Sequence, residues 1–118
     1  MSNKFMLNKK DVVYLKHIRD AIINIENYLE GRTYIELETN SMIFDAVVRN
    51  LEIIGEATNN LSDDFQNSYS EIIYSDIVSM RNFLIHEYFG VNPKVVWDTY
   101  KADLPTLKKQ VLNILQQK

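Results

Sequence analysis

Residues 8–31 read NKKDVVYLKHIRDAIINIENYLEG. Leu15, Ile18, Ile22, Ile25 and Leu29 recur at steps of three and four, which gathers them on one stripe of an α-helix. A strand would need alternation at every second residue. Asn8 can cap this helix, with Asp11 three residues on in a capping-box-like arrangement, and Gly31 is a natural stop. Thr33 and Glu36 offer a second capping box before a short polar segment. A second long helix is predicted from about Ser41 to Leu61, with Ile43, Val47, Leu51 and Ile54 as its buried stripe. Gly55 inside it costs about 1 kcal/mol against Ala, which is explained if another backbone passes close. Ser62, Asp63 and Asp64 read as a turn or the start of a short helix, and 65–74 stays open between turn and helix.

A third helix should begin near Ser75 or Asp76 and run to Phe89, with Gly90 ending it. Asn92 before Pro93 starts the last one, because Asn caps and Pro suits the first helical position. It runs towards Gln116, and Pro105 must kink or interrupt it. No repeat, low-complexity tract or linker divides the chain. The expectation is one all-α domain over 1–118, an antiparallel bundle of four to five helices.

The 118 residues are enough for a real core. With no Cys, disulfide scaffolds, thiolate metal sites and cysteine nucleophiles are excluded. Any imidazole chemistry must use His17 or His86. Three Gly and two Pro leave little for a phosphate-cradling loop or an all-β fold. The net charge of −3 argues against a generally basic nucleic-acid binder. That charge is unevenly spread: residues 1–18 and 91–118 are basic, while 19–90 hold thirteen acids against four Arg. Such runs are commonly solvated helix faces; the functional reading sets both ends beside a polyanion. No signal-like apolar region follows Met1, and no apolar run nears the roughly 18 residues of a membrane span. A cytoplasmic, reduced setting is expected, with no membrane contact.

Most familiar chemistries fail on spacing. Tyr14 and Phe83 stand where a di-iron bundle would need Glu before each His. His86-Glu87 is not followed by a second His for a zinc protease, and no P-loop or dinucleotide glycine pattern occurs. No metal site is expected. One segment, Met80 to Gly90, gathers Arg81, Asn82, His86, Glu87 and Tyr88 on a single predicted helix. Asn82 and His86 share a face at four residues. Arg81 lies five residues from His86, so the two flank an edge, where a long Arg can still reach a phosphate held by His86. His can exchange a proton at neutral pH, and Arg offers a planar donor fork to a phosphate gaining charge. An RNA 2′-hydroxyl as nucleophile requires no metal. Against this, a lone His in an apolar-patterned helix is commonly structural, and an Arg among acids is commonly an ion pair. His17, between Lys16 and Ile18, reads as a surface residue.

Arg81, His86 and Tyr88 fit R-x4-H-x-Y. The chain resembles the HepT-like family of the HEPN superfamily over most of its length. Tyr14-Leu15, Ile18 to Ile22 and Tyr28 to Gly31 look like that family's first helix, and Asp45 to Ala57 is similar to its second-helix signature. Arg81 to Val91, Val96-Trp97 and Asp103 to Pro105 match its C-terminal half. Similar chains carry Pro and Trp before the third helix, where Ser70, Ile73 and Tyr74 stand here.

The resemblance implies a small helical homodimer whose two Arg–His motifs face one cleft. It implies a metal-independent ribonuclease toxin of a toxin–antitoxin pair, with Arg81, His86 and Asn82 as catalytic residues and no cofactor of its own. The implied partner is a minimal nucleotidyltransferase antitoxin that uses ATP and Mg²⁺ to attach AMP to the motif Tyr, here Tyr88. Two other readings stand beside it. One is a non-catalytic binding subunit or substrate of that nucleotidyltransferase, since an acidic middle repels RNA. The other is a plain structural dimer.

Overall fold

The computed structural model describes residues 7–86 and 91–116, residues 85 and 86 by their backbone alone. The described residues form α1 (Lys9–Leu29), α2 (Tyr34–Thr39), α3 (Ser41–Asn59), α4 (Asp63–Ser68), α5 (Tyr74–His86), α6 (Pro93–Asp98), a π-helical turn (Thr99–Asp103) and α7 (Leu104–Gln116). All regular structure among them is helical, as expected. The Gly90 stop and the run of the third helix beyond His86 lie outside the described residues.

The α1 stripe is the spine of the core, with Leu15, Ile18, Ile22, Ile25 and Leu29 all buried. Val47, Val48, Leu51 and Ile54 of α3 meet it, and Leu104, Leu107, Val111 and Ile114 of α7 close it. Each such side chain contributes about 1.5–3 kcal/mol by leaving water. Ile43 is only partly buried, at the edge of the stripe assigned to it. Buried Asn50 ties α3 to α1: its amide donates to Ala46 O (2.9 Å), and its Oδ1 accepts from Asn24 Nδ2 (3.2 Å). Asp11 faces Ser62, three residues past the end of α3, while Asn24 faces Asn50 in its middle, so α1 and α3 run antiparallel.

Two caps differ in outcome. Thr33 and Glu36 form the full capping box of α2. At α1, Asn8 Oδ1 accepts from Asp11 N (2.7 Å), but the Asp11 carboxylate does not complete a box. It is buried and accepts from Ser62 N (2.9 Å) and Ser62 Oγ (2.7 Å). Ser62 Oγ in turn accepts from Phe65 N (3.1 Å), capping α4. Asp11 therefore fastens α4 to α1. Asp11→Ala should lower the free energy of unfolding by about 1.5–3 kcal/mol, as loss of hydrogen bonds to a charged group does. Urea unfolding followed by circular dichroism measures it; a change within error would show that the two bonds only replace water.

The long C-terminal segment is interrupted as Pro105 requires, but upstream of it. Pro105 has no N–H to give to the preceding turn. The chain widens over Thr99–Asp103 instead, and Leu104 N–H reaches back to Thr99 O. Tyr34, Trp97 and Tyr100 fill the space beside this turn, with Trp97 and Tyr100 ring centroids 5.4 Å apart. None of the described helices is long and apolar enough to cross a membrane.

Candidate functional site

The site is built where α5 crosses α3. Gly55 makes the crossing possible: a Cβ there would lie 2.0 Å from Arg81 Cβ and 3.2 Å from Arg81 Cα. The close passage expected from Gly55 is therefore that of Arg81. Leu84, one turn on, is buried and seats α5 on the core.

From this anchor the Arg81 side chain reaches Glu56, the neighbour of Gly55. Nη2 donates to Glu56 Oε1 at 2.5 Å, and Nη1 donates to Asn82 Oδ1 at 2.9 Å. Arg81 is one-quarter exposed and Glu56 about half, at 25% and 53%. A pair this wet is worth about 0–1 kcal/mol, so its main effect is orientation. Arg81 Nε is buried and has no hydrogen-bond partner among the described residues. A guanidinium carries five N–H bonds; these two contacts use one on each Nη, so it is the second N–H of Nη1 and of Nη2, not the buried Nε, that is left for an incoming anion.

Arg81 thus forms an ion pair across 25 positions, with a residue that sequence reasoning did not single out. The signal was present: the neighbour of a close-approach glycine comes within reach of whatever passes over that glycine. Asn82 holds Arg81 directly. The α5 backbone extends through His86, one turn beyond Asn82. The His86 side chain and Tyr88 lie outside the described residues. Among the described residues no group of three or more His, Asp or Glu could hold a metal ion.

A cleft of about 260 Å³ opens on the α1–α3 surface beside Glu56. Tyr14 and His17 of α1 form one wall, and Arg49, Glu52 and Glu56 of α3 the other. His17 is exposed, as expected, yet it is part of a concave surface that ends at Arg81's partner.

The family model described as "Ribonuclease HepT-like" matches residues 18–114. A protein of Methanocaldococcus jannaschii named "Gamma-glutamylcyclotransferase and putative RNase" is 40% identical over 92% of this chain, which spans 50% of that relative's length. A "Putative RNase" of Caldanaerobacter subterraneus subsp. tengcongensis is 39% identical over 88% of this chain and 93% of its own. A "Probable ribonuclease HepT" of Thermococcus cleftensis is 41% identical over 80% of this chain and 86% of its own. No solved structure gives a significant match.

Proposed function

The chain belongs to the HepT-like ribonuclease family, and from that premise we propose that it is a metal-independent ribonuclease toxin working as a homodimer. The observation that carries this is the Arg81 guanidinium. It is aimed by Glu56 and Asn82, keeps donors unspent, and shares α5 with His86. In the proposed reaction the RNA 2′-oxygen attacks the adjacent phosphorus. The His86 imidazole of one copy takes the 2′-hydroxyl proton, and that of the second copy gives a proton to the departing 5′-oxygen. The products are a 2′,3′-cyclic phosphate and a 5′-hydroxyl end. Arg81 binds the phosphate oxygens as they gain charge. Two copies supply both proton-transfer partners, and exposed Phe83 on α5 and Ile73 before it give a second copy apolar surface to cover.

The proposal extends to regulation in the cytoplasm. A minimal nucleotidyltransferase antitoxin uses ATP and Mg²⁺ to attach AMP to Tyr88. The added phosphate competes with RNA for Arg81 and His86. The chain itself needs no cofactor.

The decisive test is cleavage of single-stranded RNA by the purified protein in excess EDTA. Cyclic-phosphate ends are expected, and growth arrest when the chain is expressed alone. A pure dimer that leaves RNA intact would reject catalysis in favour of a binding subunit. Incubation with the nucleotidyltransferase and ATP should add AMP-sized mass to the peptide holding Tyr88 and stop cleavage. Mass on another tyrosine would refute the residue assignment alone.

A further inference from the structure

We propose that the α1–α3 cleft is a nucleobase subsite, holding one base of the single-stranded RNA whose phosphate is bound by Arg81. The inference rests on the ribonuclease reading and adds a second point of contact to it. The cleft is joined to the motif through one side chain, because Glu56 both lines the cleft and accepts from Arg81 Nη2. A strand whose phosphate engages Arg81 therefore has this cleft beside it.

The lining decides what the cleft takes. Tyr14 and His17 stand edge to face, with ring centroids 6.2 Å apart and planes at 79°. Together they make an aromatic corner, and Ile53 and Ala57 add apolar surface. On the facing wall Arg49 and Glu52 are held loosely at 3.7 Å, with Arg49 71% exposed. A bare phosphate fits poorly here: Glu52 and Glu56 would repel it, and each acid already faces one arginine. A base fits the same groups. Its face packs on an aromatic ring, its N–H edge donates to the Glu52 carboxylate, and its ring acceptors take an N–H from Arg49. Stacking of this kind is tolerant of sequence, and the Glu52 acceptor favours bases that present an amino group. Arg49 and Glu56 are seven residues apart on α3, about 10.5 Å along its axis. That distance suits a base adjoining the bound phosphate rather than a remote site.

The test uses two proteins, the full chain and its His86→Ala form, which should bind RNA without cutting it. Fluorescence anisotropy with a labelled 12-nucleotide RNA is read while an abasic unit is moved through the strand. One position should weaken binding about tenfold, the range expected for loss of a stacked base. Adding His17→Ala and Arg49→Ala should weaken the intact RNA by a similar factor and flatten the abasic scan. In the cutting protein the same pair should raise KM with kcat kept. Glu52→Gln should reduce the preference for amino-bearing bases.

A flat scan on the His86→Ala form overturns the subsite, as does an unchanged KM in the paired variant. In both cases the ribonuclease reading stands if RNA is still cut. If no RNA is cut but the scan shows its single step, the subsite survives and the reaction does not. A change in molecular mass by light scattering on substituting His17 and Arg49 would show the cleft to be a subunit contact, and so reject it.

Discussion

His86→Ala should slow RNA cleavage by about 10²–10⁴-fold, the loss that follows removal of a general acid–base group. Arg81→Lys should cost about 10²–10³-fold, comparable to losing a donor to the developing oxyanion. The second figure is the more informative, because charge is retained. Arg81 presently donates through Nη2 to Glu56 and through Nη1 to Asn82. The planar fork lets it do both and still face a phosphate. A lysine ammonium is a point charge on a flexible stem. It can satisfy Glu56 or bind the phosphate, but it lacks the planar fork that lets Arg81 face both. Single-turnover cleavage of an end-labelled RNA in EDTA, at protein well above Kd, separates chemistry from binding. The thermal melt of Arg81→Lys should stay near that of the parent, since the ion pair is wet and contributes little. Wild-type cleavage by Arg81→Lys would mean that a diffuse positive charge suffices, and the oriented fork would have no role.

The helices were legible wherever one stripe repeats at three and four residues, as from Leu15 to Leu29, because burial selects that spacing directly. Gly55 was legible for the complementary reason: a residue that costs helix stability implies a neighbour too close for a Cβ. What passes over it was not, since no local pattern links position 55 to position 81. Asp11 shows the same limit. Three residues after a cap it looks like half of a capping box, but its carboxylate serves Ser62, 51 positions on. Pro105 announced an interruption without saying where. The missing donor is accommodated upstream, by a widened turn whose hydrogen bond spans five residues from Leu104 to Thr99. For the site, residue types and spacing picked out Arg81 and Asn82, which do meet. They missed Glu56, Arg49 and Tyr14, and they set His17 aside, because a cleft between two helices leaves no mark on either helix alone.

Gly55→Ala should destabilise the protein by about 1–2 kcal/mol net, against the usual sign for this substitution in a helix. Propensity alone favours Ala by about 1 kcal/mol. Opposing it, the new Cβ would sit 2.0 Å from Arg81 Cβ and 3.2 Å from Arg81 Cα. Neither atom can rotate away, because one is backbone and the other is fixed to it. The relief must come from α5 lifting off α3, and overpacking of this kind costs about 1–3 kcal/mol or more. The melting temperature should fall by roughly 3–12 °C for a domain this size. Cleavage should fall as well, at temperatures where the variant is fully folded, because lifting α5 carries Arg81 away from Glu56. A double-mutant cycle isolates the cause. In an Arg81→Gly background the Cβ–Cβ clash is gone, so Gly55→Ala should cost markedly less than in the parent, the signature of two residues in contact. Equal costs in the two backgrounds would place the strain elsewhere on α3, and the seating of α5 on Gly55 would have to be given up.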